Sequence, residues 1–262
     1  MAGACSYPGT VLFSCTDEHG PIDIVEEPTT RSMHFGTIAR QSTMYLADPN
    51  ALVLEYTRYM AGTLLLVDEP RRILMLGLGG GSLARFMLAQ YARCRVDVVE
   101  IRQRVVDLAH GFFYLPNDLR LSIHVMPAER FLAAPQPCQY DLILVDLFNG
   151  HGMASAHSHP TFYAQCRQCL APGGALTTNL WTGGRRAALR QITRDLYTAF
   201  SGRLLDLPVA GKQNTVLYAL PALPDRRVWS RARQRAGAWG ERAGVDFPAL
   251  IRALEQKAVQ LR

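Results

Sequence analysis

The chain lacks any apolar run near the eighteen or so residues that a membrane-crossing helix needs. The longest, over 73–84, is interrupted by glycines and closed by Arg85. The first residues, Met-Ala-Gly-Ala-Cys, have neither a basic start nor an apolar core, so no signal peptide is visible and the cytoplasm is the expected location. Internal repeats and low-complexity segments are missing. No G-K-[ST] follows the glycine-rich stretch, which speaks against a triphosphate. The six cysteines (Cys5, Cys15, Cys94, Cys138, Cys166, Cys169) are scattered. Cys166 and Cys169 form a C-x-x-C without a second pair nearby, and read as structural thiols rather than metal or redox ligands.

Composition is that of an ordinary folded protein, 48% hydrophobic and 19% charged over 262 residues. The formal charge of +6 is uneven. From Asp225 to the end, nine Lys/Arg face four acids, which leaves +5 in the tail. Phe247, Leu250, Ile251, Leu254, Val259 and Leu261 recur along the same segment. The pattern reads as an amphipathic helix docked on the body with a solvated basic face; no nucleic-acid module accompanies it.

The chemistry concentrates in Ile73-Leu-Met-Leu-Gly-Leu-Gly-Gly-Gly-Ser-Leu83. Apolar residues make a strand, Gly77, Gly79, Gly80 and Gly81 make a tight turn, and a helix starts near Leu83. Nineteen residues after Gly81, the apolar run Val96-Asp-Val-Val-Glu100 ends in a carboxylate. Glycines let backbone approach a ligand, and an acid ending the next strand can hold both ribose hydroxyls. An adenosine-type nucleotide is the expected ligand, with NAD and S-adenosyl compounds both open at this point.

Around the motif, residues 1–20 look loose and polar. Short strands over 22–25 and 32–35 flank a turn at 26–30, and a helix follows over 52–61. Strands over 73–76, 96–100, 121–125, 140–145 and 175–180 then alternate with helices over 83–92, 102–111, 128–132 and 161–170. A helix over 186–200 and strands over 202–208 and 214–220 close the array. Regular alternation with apolar strands predicts a parallel doubly wound sheet. The closing hairpin adds an antiparallel strand, as in methyltransferase-like folds and unlike dehydrogenases. We therefore expect an α/β protein with a seven-stranded, mostly parallel sheet: a small β-rich region at 1–70, a nucleotide-binding domain at 71–222 and a basic helical extension at 223–262.

That topology and the G-x-G-x-G turn favour an adenosyl-sulfonium ligand over NAD, because no pyrophosphate has to be cradled. Asp146 ends the apolar strand 140–145 and is expected to point into the cleft, although an Asp there can also be a turn former. In the following loop, His151, His157 and His159 are candidates for a lid, substrate contact or metal binding. Asn179-Leu-Trp181 either lines the cleft or merely ends a strand.

With these residues in place, over about residues 22–220, the chain resembles the spermidine synthase family, the polyamine aminopropyltransferases. The likeness is carried by Gln41-Ser42, the helix ending in Met60, Gly77-Leu-Gly-Gly-Gly-Ser-Leu83, Val98-Val-Glu100, Tyr140-Asp-Leu-Ile-Leu-Val-Asp146, Phe162-Tyr163 and Leu170-Ala-Pro-Gly-Gly174. Met75 fills a position that is usually acidic in ordinary methyltransferases. The resemblance implies decarboxylated S-adenosylmethionine as co-substrate, held by Gly77, Gly79, Gly81 and Glu100, and no metal. It implies Asp146 as the base for a small-molecule amine acceptor, with substrate contacts at Gln41, Tyr56 and Asn149. A homodimer is implied as well.

Several positions depart from the family pattern. Gly80 and Asn149 replace family acids, and Thr57-Arg58 replaces a Tyr-His or Tyr-Gln pair. Pro127 stands at a nucleotide-contacting acid, for which Glu129 is the expected substitute. The acceptor stays open, and so do two alternatives: a methyltransferase using S-adenosylmethionine itself, and a non-catalytic nucleotide-binding relative.

Overall fold

The computed structural model describes residues 6–67, 69–134, 139–184, 186–243 and 245–260. Cys5 and Cys138 lie outside the described residues. The chain opens with β1 (Thr10–Asp17), β2 (Gly20–Glu26), β3 (Thr30–His34) and β4 (Arg40–Tyr45), an antiparallel meander in that order. The stretch expected to be loose thus contains a strand. In β1 the half-buried Phe13, Cys15 and Asp17 alternate with exposed Leu12, Ser14 and Thr16, a period-2 pattern diluted by polar residues on an edge strand.

After α1 (Glu55–Ala61) comes the large sheet with its helices: β5 (Arg72–Leu76), α2 (Ser82–Gln90), β6 (Arg95–Glu100), α3 (Gln103–Phe112), β7 (Leu121–Val125), α4 (Ala128–Ala133) and β8 (Tyr140–Val145). A two-residue hairpin pair, β9 (Phe148–Asn149) and β10 (Gly152–Met153), precedes α5 (Phe162–Cys169), β11 (Leu170–Trp181) and α6 (Arg186–Ala199). Last come β12 (Leu204–Pro208), β13 (Asn214–Ala219), α7 (Arg226–Ala243) and α8 (Phe247–Gln260). Among the described residues, no helix is long and apolar enough to cross a membrane.

The seven strands run in the order β12-β13-β11-β8-β5-β6-β7, with β13 antiparallel to β11 and to β12. Central strands such as β5 and β8 are apolar nearly throughout because helices cover both faces. Successive residues divide between two cores. Ile73 and Met75 join a cluster with Ile22, Met44, Phe86, Val105 and Leu254, while Leu74 and Leu76 join Phe131, Phe162, Ile192 and Leu196. The first cluster therefore runs from the N-terminal meander through α2 and α3 to the last helix.

The basic tail forms two helices. Asp246 lies beyond the end of α7 and caps α8: its Oδ1 accepts from the Ala249 N–H at 2.9 Å, and Pro248 sits in the first turn, where its missing N–H costs nothing. Several tail cations are used in docking. Arg235 donates to the carbonyls of Leu65 (2.9 Å) and Val67 (3.2 Å), and Lys257 pairs with Asp206 at 3.2 Å.

Candidate active site

Strand order reverses between β5 and β8, and the crevice beyond their carboxyl ends is where ligands bind in such sheets. Gly77 follows β5 and Asp146 follows β8. The Asp146 N–H donates to the Leu76 carbonyl at 2.9 Å, and the Gly77 N–H to that of Val99 at 2.8 Å. A Cβ on Gly77 would lie 2.2 Å from the Asp146 carbonyl oxygen, and its φ of +100° is open essentially to glycine alone. The turn is thus threaded between the ends of β6 and β8, which brings Glu100 and Asp146 to one cavity of about 930 Å³.

Glu100 is 9% exposed and ends β6. Its Oε2 accepts from the Leu78 N–H and its Oε1 from the Arg102 N–H, both at 3.0 Å. Burial raises its pKa, and these backbone donors oppose the rise. A carboxylate has about four lone-pair directions. Glu100 therefore keeps acceptor capacity for a ligand diol on the cavity it lines. Arg102 is clamped in turn by Asp17, the Gly20 carbonyl and the face of Phe35.

At the other end, Asp146 is gripped on both oxygens. The Tyr56 hydroxyl donates to Oδ2 at 3.0 Å and the Asn179 amide to Oδ1 at 2.9 Å. Asn214 donates to the Asn179 oxygen at 2.9 Å, which fixes the amide with its NH2 toward Asp146. Burial raises the Asp146 pKa, with Asn179 and Tyr56 opposing. Tyr56 is pushed well above its ordinary value by burial and then by the Asp146 charge, so it stays a donor. The result is a carboxylate oriented by two side-chain donors on the cavity lining.

Other expected residues are distributed unevenly. Gln41, Gly79 and Asn149 line the cavity, and the Asn149 side chain also accepts from the His151 N–H at 2.8 Å. Gly81 is instead the N-cap residue of α2, and Glu129 lies in the first turn of α4; neither is on the cavity lining. Four residues beyond β7, Glu129 belongs to the helix rather than to the strand end that borders the crevice. Of the three histidines, His151 borders the cavity, His157 is fully buried against Tyr163, and His159 is exposed beside Thr161. Among the described residues, no group of three or more His, Cys, Asp or Glu is placed to hold a metal.

Gly80 shows why the acid implied by the resemblance is absent. A Cβ there would stand 2.7 Å from the Phe113 ring and 2.9 Å from Ser42 Oγ, while the Gly80 carbonyl accepts from buried Arg85 at 2.5 Å. An aspartate side chain has no room without displacing Phe113. Asn214 and Glu55 also line the cavity and did not stand out as site residues in the sequence. Asn179 and Trp181, read from the sequence as cleft lining or as a strand end, both line the cavity, and Trp181 also ends β11. Asn214 is recognisable only from its pairing with Trp181 across β11 and β13.

Fold and cavity together define a methyltransferase-like α/β protein with its cavity at the strand switch point. The spermine/spermidine synthase domain model matches residues 54–181. A polyamine aminopropyltransferase of Chromobacterium violaceum is 36% identical over 236 residues, covering 90% of this chain and 89% of that one. One from Neisseria meningitidis is 32% identical, covering 89% of each. The chain belongs to the spermine/spermidine synthase family. In fold it is similar to a probable spermidine synthase from Corynebacterium glutamicum (TM-score 0.73, 21% identity, 87% of each chain). It is also similar to a spermidine synthase in complex with the transition state analogue AdoDATO (TM-score 0.62, 17% identity, 83% of this chain and 76% of that one).

Proposed function

We propose that the protein transfers an aminopropyl group from decarboxylated S-adenosylmethionine to a small-molecule amine, with Asp146 as base and Glu100 on the ribose. The observation that carries this is the grip of Tyr56 and Asn179 on Asp146, in the same cavity as Glu100. The names of the relatives support the same chemistry.

The residues fit such a co-substrate. Glu100 offers a carboxylate already ordered by two backbone donors, and Gly77 leaves the space beside Asp146 that a Cβ would fill. The sulfonium supplies the leaving group. The amine nitrogen forms a bond to the propyl carbon as the carbon–sulfur bond breaks, its electron pair returns to sulfur as a thioether, and the amine proton passes to Asp146. Holding amine and carbon in line accounts for much of the acceleration expected; Asp146 adds proton acceptance.

Calorimetry with decarboxylated S-adenosylmethionine, S-adenosylmethionine and methylthioadenosine tests the ligand. Preference for the decarboxylated form is expected, and preference for the parent compound would move the reading to methyl transfer. Glu100→Ala should weaken methylthioadenosine binding about 10- to 100-fold through the lost charged hydrogen bonds. Unchanged affinity would remove Glu100 from the ribose.

A further inference from the structure

Beneath the glycine turn lies a buried cation that the reaction above does not use. Arg85, in the first turn of α2, is 3% exposed. Burial lowers its pKa to about 10, so the guanidinium stays charged at neutral pH. Each of its hydrogen-bond acceptors is a neutral oxygen. Nη1 donates to the Gly80 carbonyl at 2.5 Å, Nε donates to the Pro49 carbonyl at 2.9 Å, and Nη2 lies 3.5 Å from Ser82 Oγ. Taking a charge out of water without a counter-charge is costly, and a methionine in this place would avoid that cost. A methionine could not hold the two carbonyls.

Each carbonyl belongs to a segment that shapes the cavity. The Gly81 N–H closes the turn by donating to the Leu78 carbonyl at 3.0 Å, and the Arg85 N–H donates to the Gly81 carbonyl at 2.9 Å. Arg85 thus holds two successive carbonyls of the turn, Gly80 by its side chain and Gly81 by its backbone. Gly77, Leu78 and Gly79 are the part of the turn that lines the cavity. Pro49 lies in the loop between β4 and α1, where the Ala51 N–H donates to the Asp48 carbonyl at 3.2 Å. Arg58 of α1 donates from Nε to the Leu52 carbonyl at 2.8 Å, which binds this loop to the helix that carries Tyr56. Tyr56 is one of the two groups that hold Asp146. A planar guanidinium meets two carbonyls at fixed angles, which an ammonium on a flexible stem does not.

We propose that Arg85 is a positioning residue for the reaction: bridging the Gly80 and Pro49 carbonyls, it sets the glycine turn in place relative to the loop and helix that present Tyr56 to Asp146. This rests on the amine-transfer reading above. Arg85 does not line the cavity and acts only through these two segments.

The test uses the full chain with decarboxylated S-adenosylmethionine and 1,4-diaminobutane, comparing Arg85→Met, Arg85→Lys, Tyr56→Phe and the double variant Arg85→Met/Tyr56→Phe. Arg85→Met is expected to melt cooperatively, to bind methylthioadenosine about tenfold more weakly, and to lose about 10²-fold in kcat, the cost of a displacement near 1 Å. Arg85→Lys keeps the charge without the fork, so its kcat should stay about tenfold below the parent's. Tyr56→Phe cuts the same link at its other end. The double variant should therefore resemble the weaker single variant instead of showing the product of the two losses. Amide exchange at Gly81 and Ala51 should quicken together in both Arg85 variants and stay as in the parent along β13.

Parent-like kcat and exchange in the Arg85 variants would overturn the proposal. So would losses that multiply with that of Tyr56→Phe, or that vanish when rates are referred to folded protein, since Arg85 would then serve the fold alone. An Arg85→Lys variant equal to the parent would do the same, by making charge sufficient. Should Arg85→Met fail to melt cooperatively, kinetics, cycle and exchange are read on Arg85→Lys. If the parent itself transfers nothing to the diamine, the functional reading fails, and exchange at Gly81 and Ala51 still decides whether Arg85 joins turn and loop.

Discussion

Asp146→Asn is expected to lower kcat for amine alkylation by about 10²–10⁴-fold, the range that a positioned base contributes, while methylthioadenosine binding is retained. The substitution is nearly isosteric, and an amide can still meet the Tyr56 hydroxyl and the Asn179 amide that now hold the two oxygens at 3.0 and 2.9 Å. What it cannot do is take a proton. An assay of the alkylated amine and methylthioadenosine formed per turnover measures the loss; full activity in the variant would put the base elsewhere.

The pH dependence follows from the same environment. Burial raises the Asp146 pKa above its ordinary 3.8, and the base works only when ionised. The acid limb of kcat/KM attributable to this group should therefore lie above that ordinary value, with activity rising as pH rises through it. Linkage has the opposite sense for stability. Between the unfolded and the raised folded pKa the native state binds more protons, so this carboxylate costs stability as pH increases. Asp146→Asn should consequently not lower the melting temperature at neutral pH.

The parts legible in the sequence were those that one strand declares alone. Strands β5, β6 and β8 are apolar because they are covered on both faces, and a carboxylate ending such a strand is visible as Glu100 and Asp146 are. Groups that reach the cavity through pairing were not legible. Asn214 touches Asn179 only because β13 is antiparallel to β11 in the register that sets Trp181 opposite Asn214. Strand β1 escaped notice because its half-buried face is interleaved with Ser14 and Thr16 on a sheet edge. The position of Glu129 depended on where α4 begins, and a shift of a few residues separates strand end from helix. Gly80 is the converse case, a missing acid visible in the sequence whose cause, the Phe113 ring, comes from a different element.

Asp17→Ala should be among the most destabilising single changes outside the apolar core. Asp17 sits at the end of β1 and holds Arg102 through Nε at 3.0 Å and Nη2 at 2.8 Å, with the Gly20 carbonyl a further acceptor at 2.7 Å. Arg102 is only 5% exposed, so removing the carboxylate leaves a buried guanidinium without its counter-charge. Breaking such a pair costs about 3–5 kcal/mol. Gly20 and the Phe35 face, 4.6 Å from the guanidinium carbon, retain part of the interaction and favour the lower end. At about 2–4 °C per kcal/mol for a chain of this size, the melting temperature should fall by roughly 10 °C. Arg102 also supplies a backbone donor to Glu100, so methylthioadenosine affinity should weaken in the same variant. The pH dependence separates a lost ion pair from lost packing. Burial alone would raise the Asp17 pKa, but hydrogen bonds from Arg102 and the His19 N–H hold it below its ordinary 3.8. The pair's contribution is therefore complete above that value and disappears as pH falls through the depressed folded pKa. The gap in stability between the parent and Asp17→Ala should accordingly be widest at neutral pH and close in strong acid, whereas a gap independent of pH would show that Asp17 acts by packing alone.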